Sequence, residues 1–191
     1  MELMSHRLRR HALMSIAASM IATSSFAAER FAISSPAFPD NGALVKKNGG
    51  VNASNPNCRG SNVSFPLKWT RGPEGTKSYV IILWDPEGRM GTGVTHWLAY
   101  GIPADVTSLK EGEASAPSPH IIGGMNTNNT TIYYGPCPGP NTGAHHYVIS
   151  LIATDLEPNA LKPGLTRDDV MKEIQGHGKA VTAMVARMAY Q

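Results

Sequence analysis

The stretch from Ser78 to Pro103, SYVIILWDPEGRMGTGVTHWLAYGIP, constrains the fold more than any other part of the chain. Two short apolar runs, Tyr79 to Trp84 and Thr95 to Ile102, are rich in β-branched and aromatic residues. A Gly-rich connection separates them, which is the pattern of neighbouring strands. The first run delivers Asp85 directly before Pro86, where the backbone is biased toward extended geometry at a strand end. The second brings in His96 beside Trp97. An acid and an imidazole are therefore expected to meet at one end of a sheet. Taken singly, each also has an ordinary reading: Asp85 as a turn former bonding local amides, His96 as a satisfied core histidine.

A downstream stretch, GPCPGPNTGAHHY from Gly135 to Tyr147, supplies another imidazole and a phenol. Its Gly and Pro spacing builds a rigid, open loop with backbone N–H groups available to an anion. His145 and Tyr147 alternate on one strand face and His146 points the other way. A partly buried carboxylate near His96 favours the protonated imidazole, a donor for phosphate, and Tyr147 adds a neutral hydroxyl. The competing reading makes Tyr147 core and His145 surface.

Elsewhere long helical periodicity is scarce, and 19 Gly and 14 Pro in 191 residues favour a loop-rich β architecture. Short strands are expected at Arg30 to Ser34, around Ala43 to Lys46, within Asn62 to Trp69, and at Ile121-Ile122 and Ile132 to Tyr134. Arg71 to Gly75 is a turn. The connection from Ala104 to Thr131 is either functional or hides short strands. His146 to Thr154 is apolar on both faces and reads as a central strand covered on both sides. One helix begins at Thr166, capped by its hydroxyl with Asp168 and Asp169 in the first turn, and ends at Gly176-His177-Gly178. Thr182 to Tyr190 fits either helix or strand.

The first 27 residues read as a signal peptide: a basic region with Arg7, Arg9 and Arg10, an apolar run from Ala12 to Ala22, and the small residues Ser25 and Ala27 before the cut. That run is shorter than the ~20 residues a spanning helix needs, so no stable membrane insertion is expected once the leader is removed. The mature domain spans 28–191 and is periplasmic or secreted. Removing Glu2, Arg7, Arg9 and Arg10 lowers the formal charge from +3 to +1. A basic balance that leaves with the signal is no argument for nucleic-acid binding.

The whole pattern resembles the phosphatidylethanolamine-binding protein family, also called the Raf kinase inhibitor protein family, and its bacterial secreted branch in particular. CRGSNVSFPLKW with GTKSYVIILWDPE, then THWLAYGIP, then YGPCPGPNTGAHHYVISLIATD carry the likeness in order. GHGKAVTA resembles the family's terminal helix. The resemblance implies an all-β dominated fold, an antiparallel β-sandwich with short C-terminal helices. It also implies a small anion pocket lined by Asp85, His96, His145 and Tyr147 and completed by the backbone around Cys137 and Pro138. No cofactor or metal is implied. Function is then non-catalytic binding of a small anion or phospholipid head group, with a protein partner as a further option. The alternatives are a protease or signalling inhibitor acting by protein contact, and a metal-dependent hydrolase using Asp85, His96 and His145. Glu87, Gly88, Arg89 and His146 depart from the family pattern, so ligand preference does not carry over. Cys58 and Cys137 are the only cysteines; the resemblance places one in the lead-in and one in the pocket loop. An even count in an oxidising compartment favours their bridge.

Overall fold

The computed structural model describes residues 30–189. The expected signal peptide, the expected start of the mature domain, Tyr190 and Gln191 lie outside the described residues. In chain order the strands are β1 (Ile33–Ser34), β2 (Gly42–Ala43), β3 (Leu67–Trp69), β4 (Ser78–Asp85), β5 (Val94–Pro103), β6 (Ser108–Leu109), β7 (Ile122–Gly123), β8 (His145–Thr154) and β9 (Gly178–Met188). Two helical pieces matter here: a single turn α1 (Gly88–Gly91) between β4 and β5, and α2 (Arg167–Glu173) between β8 and β9.

The strands form a three-stranded sheet, β1-β3-β6, and a six-stranded sheet, β2-β9-β8-β4-β5-β7. Pairing is antiparallel throughout except for the short β2, which runs parallel to β9 at one edge. The expected sandwich is therefore present, with one parallel margin.

β4 lies between β5 and β8, so both its edges are hydrogen-bonded. Its alternate side chains feed two separate cores. Tyr79, Ile81 and Leu83 face the small sheet and meet Ile33, Leu67, Trp69 and Leu109. Val80 and Ile82 face outward and meet Leu98, Tyr100 and the helix residues Val170 and Ile174. β8 divides in the same way, with Ile149, Leu151 and Ala153 in the first core and Ile152 against the second. Apolar residues on both faces of these runs follow from this double covering.

α2 starts where its cap is written. Thr166 Oγ1 accepts from the Asp169 amide at 3.2 Å, and Asp169 Oδ2 accepts from the Thr166 amide at 3.2 Å, a reciprocal capping box. The stretch resembling a terminal helix, Gly176 to Ala183, is different: it turns into β9, a strand. β9 pairs with β8 from Thr154↔Gly178 to His145↔Met188. A helix there would leave an edge of β8 unpaired, and the β-branched Val181, Thr182 and Val185 suit the ladder. The doubtful segment beginning at Thr182 belongs to the same strand. Ile132 to Tyr134 forms no strand; it is held by loop hydrogen bonds instead, with Tyr134 N donating to His96 O at 3.0 Å. The long connection does hide short elements, β6, a 3-10 turn at Glu113–Ser115 and β7.

Candidate functional site

Asp85 ends β4 with its carboxylate only 3% exposed. Oδ1 accepts from the backbone amides of Glu87 and Gly88, both at 2.9 Å. Pro86 makes this possible by turning the chain back over the strand end. Gly88 is required by space: a Cβ there would press on Val94 and lie 3.1 Å from Asp85 Oδ2. The ordinary reading of Asp85 therefore holds: it forms the turn with Oδ1, while Oδ2 faces His145 and His96.

His96 reaches the same face through an irregularity. Leu83 pairs with Trp97, yet the next β4 residue, Trp84, pairs with Thr95, leaving His96 as an extra residue on β5. Strict alternation would send His96 to the outer face with Leu98 and Tyr100. The bulge turns it inward, as bulges beside binding sites commonly do. Its Nδ1 donates to Tyr134 O at 2.9 Å, which leaves Nε2 facing Asp85 Oδ2 at 3.8 Å. His145, at the start of β8, gives the closer partner: Nδ1 lies 2.8 Å from Asp85 Oδ2. The carboxylate is accordingly paired to His145 first and to His96 second. That bond consumes Nδ1 of His145 and leaves Nε2 for whatever enters the cleft.

Burial alone would raise the Asp85 pKa, but hydrogen bonding and charge from His96 and His145 outweigh it and hold the pKa at about 2. Asp85 is ionised at every physiological pH. All of its charge is nevertheless directed at donors of the protein itself.

These groups open into a cleft of about 510 Å³, which Asp85, Arg89, His96, Tyr134, Cys137 and His145 help to line. Tyr134 was not singled out by motif, yet it ties the wall together. Its ring stacks on His96 with centroids 6.2 Å apart, its carbonyl fixes His96, and its hydroxyl lies 3.3 Å from Cys58 Sγ. Cys58 and Cys137 are bridged, with Cα atoms 4.7 Å apart. The pocket loop lies so close to the Gly49-Gly50 segment that a Cβ on Gly50 would strike Cys137 Sγ and Gly135 O. Thr127 and Asn128 bring the long connection to the opposite wall. Asn126 organises that connection from the inside, accepting from the Asn128 and Thr130 amides and donating to Ile132 O.

Four of the expected residues, Asp85, His96, Cys137 and His145, therefore share the cleft. Pro138 and Tyr147 are buried and do not line it. Tyr147 packs its ring edge-on to His96 at 5.3 Å and parallel to His145 at 6.4 Å, so its place is behind the two imidazoles. His146 points away as expected and pairs with Glu87 at 2.8 Å on the rim.

A family model described as phosphatidylethanolamine-binding protein matches residues 34–188. The chain belongs to that family. A UPF0098 protein of Pyrococcus horikoshii is 42% identical over 125 residues, 63% of this chain and 61% of that protein. The match thus spans less than two thirds of that relative's length. A Mycobacterium tuberculosis protein named as a lipoprotein, LppC, is 36% identical over 138 residues, 70% of this chain and 62% of its own. The crystal structure of Escherichia coli YbcL, described as a member of the mammalian PEBP family, superposes with a TM-score of 0.75 at 24% identity. It covers 84% of this chain and 99% of that one, a likeness of fold.

Proposed function

We propose that this member of the family is a non-catalytic, extracytoplasmic binding protein that holds a small anion, such as a phosphate-bearing head group, in the Asp85 cleft. The observation that carries the reading is the stacked order of charges: a buried carboxylate whose lone pairs are taken, then His145 above it with Nε2 turned outward. With Nδ1 held by Asp85, a doubly protonated His145 directs Nε2–H at an anion as a charge-assisted donor. Arg89 at the rim adds a permanent positive charge. A metal-hydrolase reading would need Asp85 as a ligand, but both its oxygens already accept from backbone or imidazole donors. Among the described residues no group of three His, Cys, Asp or Glu is arranged to hold a metal ion.

The disulfide, the leader-like first 27 residues and the naming of LppC as a lipoprotein support an oxidising, extracytoplasmic setting and the secreted bacterial branch. In that setting a protein partner is an envelope or extracellular protein rather than a cytosolic kinase. The test is calorimetric titration with inorganic phosphate and phosphoethanolamine. Wild type binds, and His145→Ala loses roughly ten- to hundredfold in affinity, the worth of one charge-assisted hydrogen bond. Equal binding by wild type and His145→Ala overturns the reading.

A further inference from the structure

A second cleft, also of about 510 Å³, opens beside the first at the same end of the β4–β5 pair. Trp84 lines it, and Trp84 and Asp85 are successive residues of β4 that point to opposite faces. Arg167 lies over the Trp84 indole, with Cζ 4.4 Å from the ring centroid. On the same ring Gly93 packs so closely that a Cβ would overlap it. A guanidinium held over an indole keeps N–H donors available to an anion at its edge. The carboxylate nearest to Arg167 is that of Asp168, at 3.6 Å with its side chain 93% exposed, a contact that an incoming anion displaces at little cost. Thr92, Asn129 and Thr166 add polar groups to the lining, beside the apolar Met125.

Arg89 and Thr127 line both clefts. Arg89 has φ 51 and ψ 47, and Met90 after it has φ 60 and ψ 38, so two successive non-glycine residues are left-handed. Each such residue costs on the order of 1–2 kcal/mol, and strain of this kind is kept where a binding loop is built. The strained turn sets the Arg89 guanidinium against Thr127 O at 3.3 Å, on the ridge between the clefts. Among the described residues no carboxylate pairs with it.

We infer that the two clefts form one bipartite site for a water-soluble ligand bearing two anionic groups on a short spacer. One group sits against His96 and His145, the other between Arg89 and Arg167. The inference rests on the anion reading of the first cleft and adds the class of ligand. Two guanidinium groups, Arg89 and Arg167, in the second cleft favour a soluble bis-anion over an acyl chain. Joining two weak sites by a spacer of fitting length raises affinity through effective concentration, without any new contact.

The probes are ethyl phosphate and a series of α,ω-alkanediol bisphosphates with two to eight carbons, titrated calorimetrically at constant ionic strength. At least one spacer should bind about tenfold or more tightly than ethyl phosphate. Arg167→Gln should bring that bisphosphate to within about threefold of ethyl phosphate and leave ethyl phosphate itself unaffected. Trp84 emission, obtained as the difference between wild type and Trp84→Phe, should respond to the bisphosphate and not to ethyl phosphate. If ethyl phosphate binds and no spacer gains, or if the gain survives Arg167→Gln, the bipartite site is wrong and the first cleft stands. If neither probe binds wild type, both readings fall.

Discussion

Asp85 divides its two oxygens between the turn that ends β4 and the proposed anion site. Oδ1 closes the turn after β4 and Oδ2 orients His145. Because its folded pKa is lowered to about 2 from 3.8, ionised Asp85 contributes stability that is complete above about pH 4. That contribution disappears as pH falls through about 2. Asp85→Asn removes both the charge and its pH dependence, so urea midpoints measured at pH 6, 4 and 2 should converge between variant and wild type as the solution is acidified. A constant gap down to pH 2 would show that the charge is not stabilising. At this scale much of the site was legible. Asp85, His96 and His145 stand at the ends of recognisable strands inside motifs that carry the family resemblance, and the cysteine pair shows in its even count. Tyr134 was not, because its importance lies in contacts to His96 and Cys58, residues 38 and 76 positions away. Tyr147 was read as a ligand donor because strand alternation gives the face and not the depth. On the same face as His145, it lies one step further into the core.

Among the elements, the β4–β5 connection departs most from ordinary geometry. Arg89 and Met90 are left-handed, as are Gly91 and Gly93 with φ of 85 and 88. Gly93 combines that backbone with direct packing on Trp84, so Gly93→Ala meets both strain and overlap. We expect a loss of about 2 kcal/mol or more in urea unfolding. A Gly91→Ala control, where a Cβ meets nothing within 4 Å, carries the strain alone and should cost less. Equal losses would mean that contact with Trp84 is immaterial. Strand periodicity made β4, β5 and β8 plain, and the Thr166 cap fixed the start of α2. What escaped was the choice at Gly176 to Ala183. The helix expected there follows from the family resemblance alone, whereas the β-branched Val181 and Thr182 and the open edge of β8 decide for a strand. The bulge at His96 was equally hidden, since an inserted residue leaves no mark in a run that reads HWLAY.

For the molecule as a whole, the Cys58–Cys137 bridge joins residues 79 positions apart and fastens the pocket loop to the segment that leads into β3. In the chain-entropy account a loop of that length is worth about 4.5 kcal/mol. The double variant Cys58→Ser/Cys137→Ser should therefore lose about 2–5 kcal/mol in urea unfolding and weaken phosphate binding as well. If phosphate affinity is retained, the packing of Gly50 on Gly135 holds the loop unaided. Fold class was readable from the motif order. Layering was less so, because two-residue strands such as β1, β2 and β6 carry too few residues to show a period.

The order of strands in the large sheet also governs when this chain is able to fold. β4 pairs on one side with β5, next in sequence, but its other neighbour is β8, and Ser78 meets Thr154 across 76 residues. The outer edge of β8 is closed only by β9, which finishes at Met188. The small sheet β1-β3-β6 is complete by Leu109, but no amino-terminal portion contains the whole of the large sheet until nearly all of the chain has been synthesised. Contacts so distant along the chain make for folding in milliseconds to seconds rather than microseconds. Until β9 arrives, the outer edge of β8 stands open as a template for pairing with another strand.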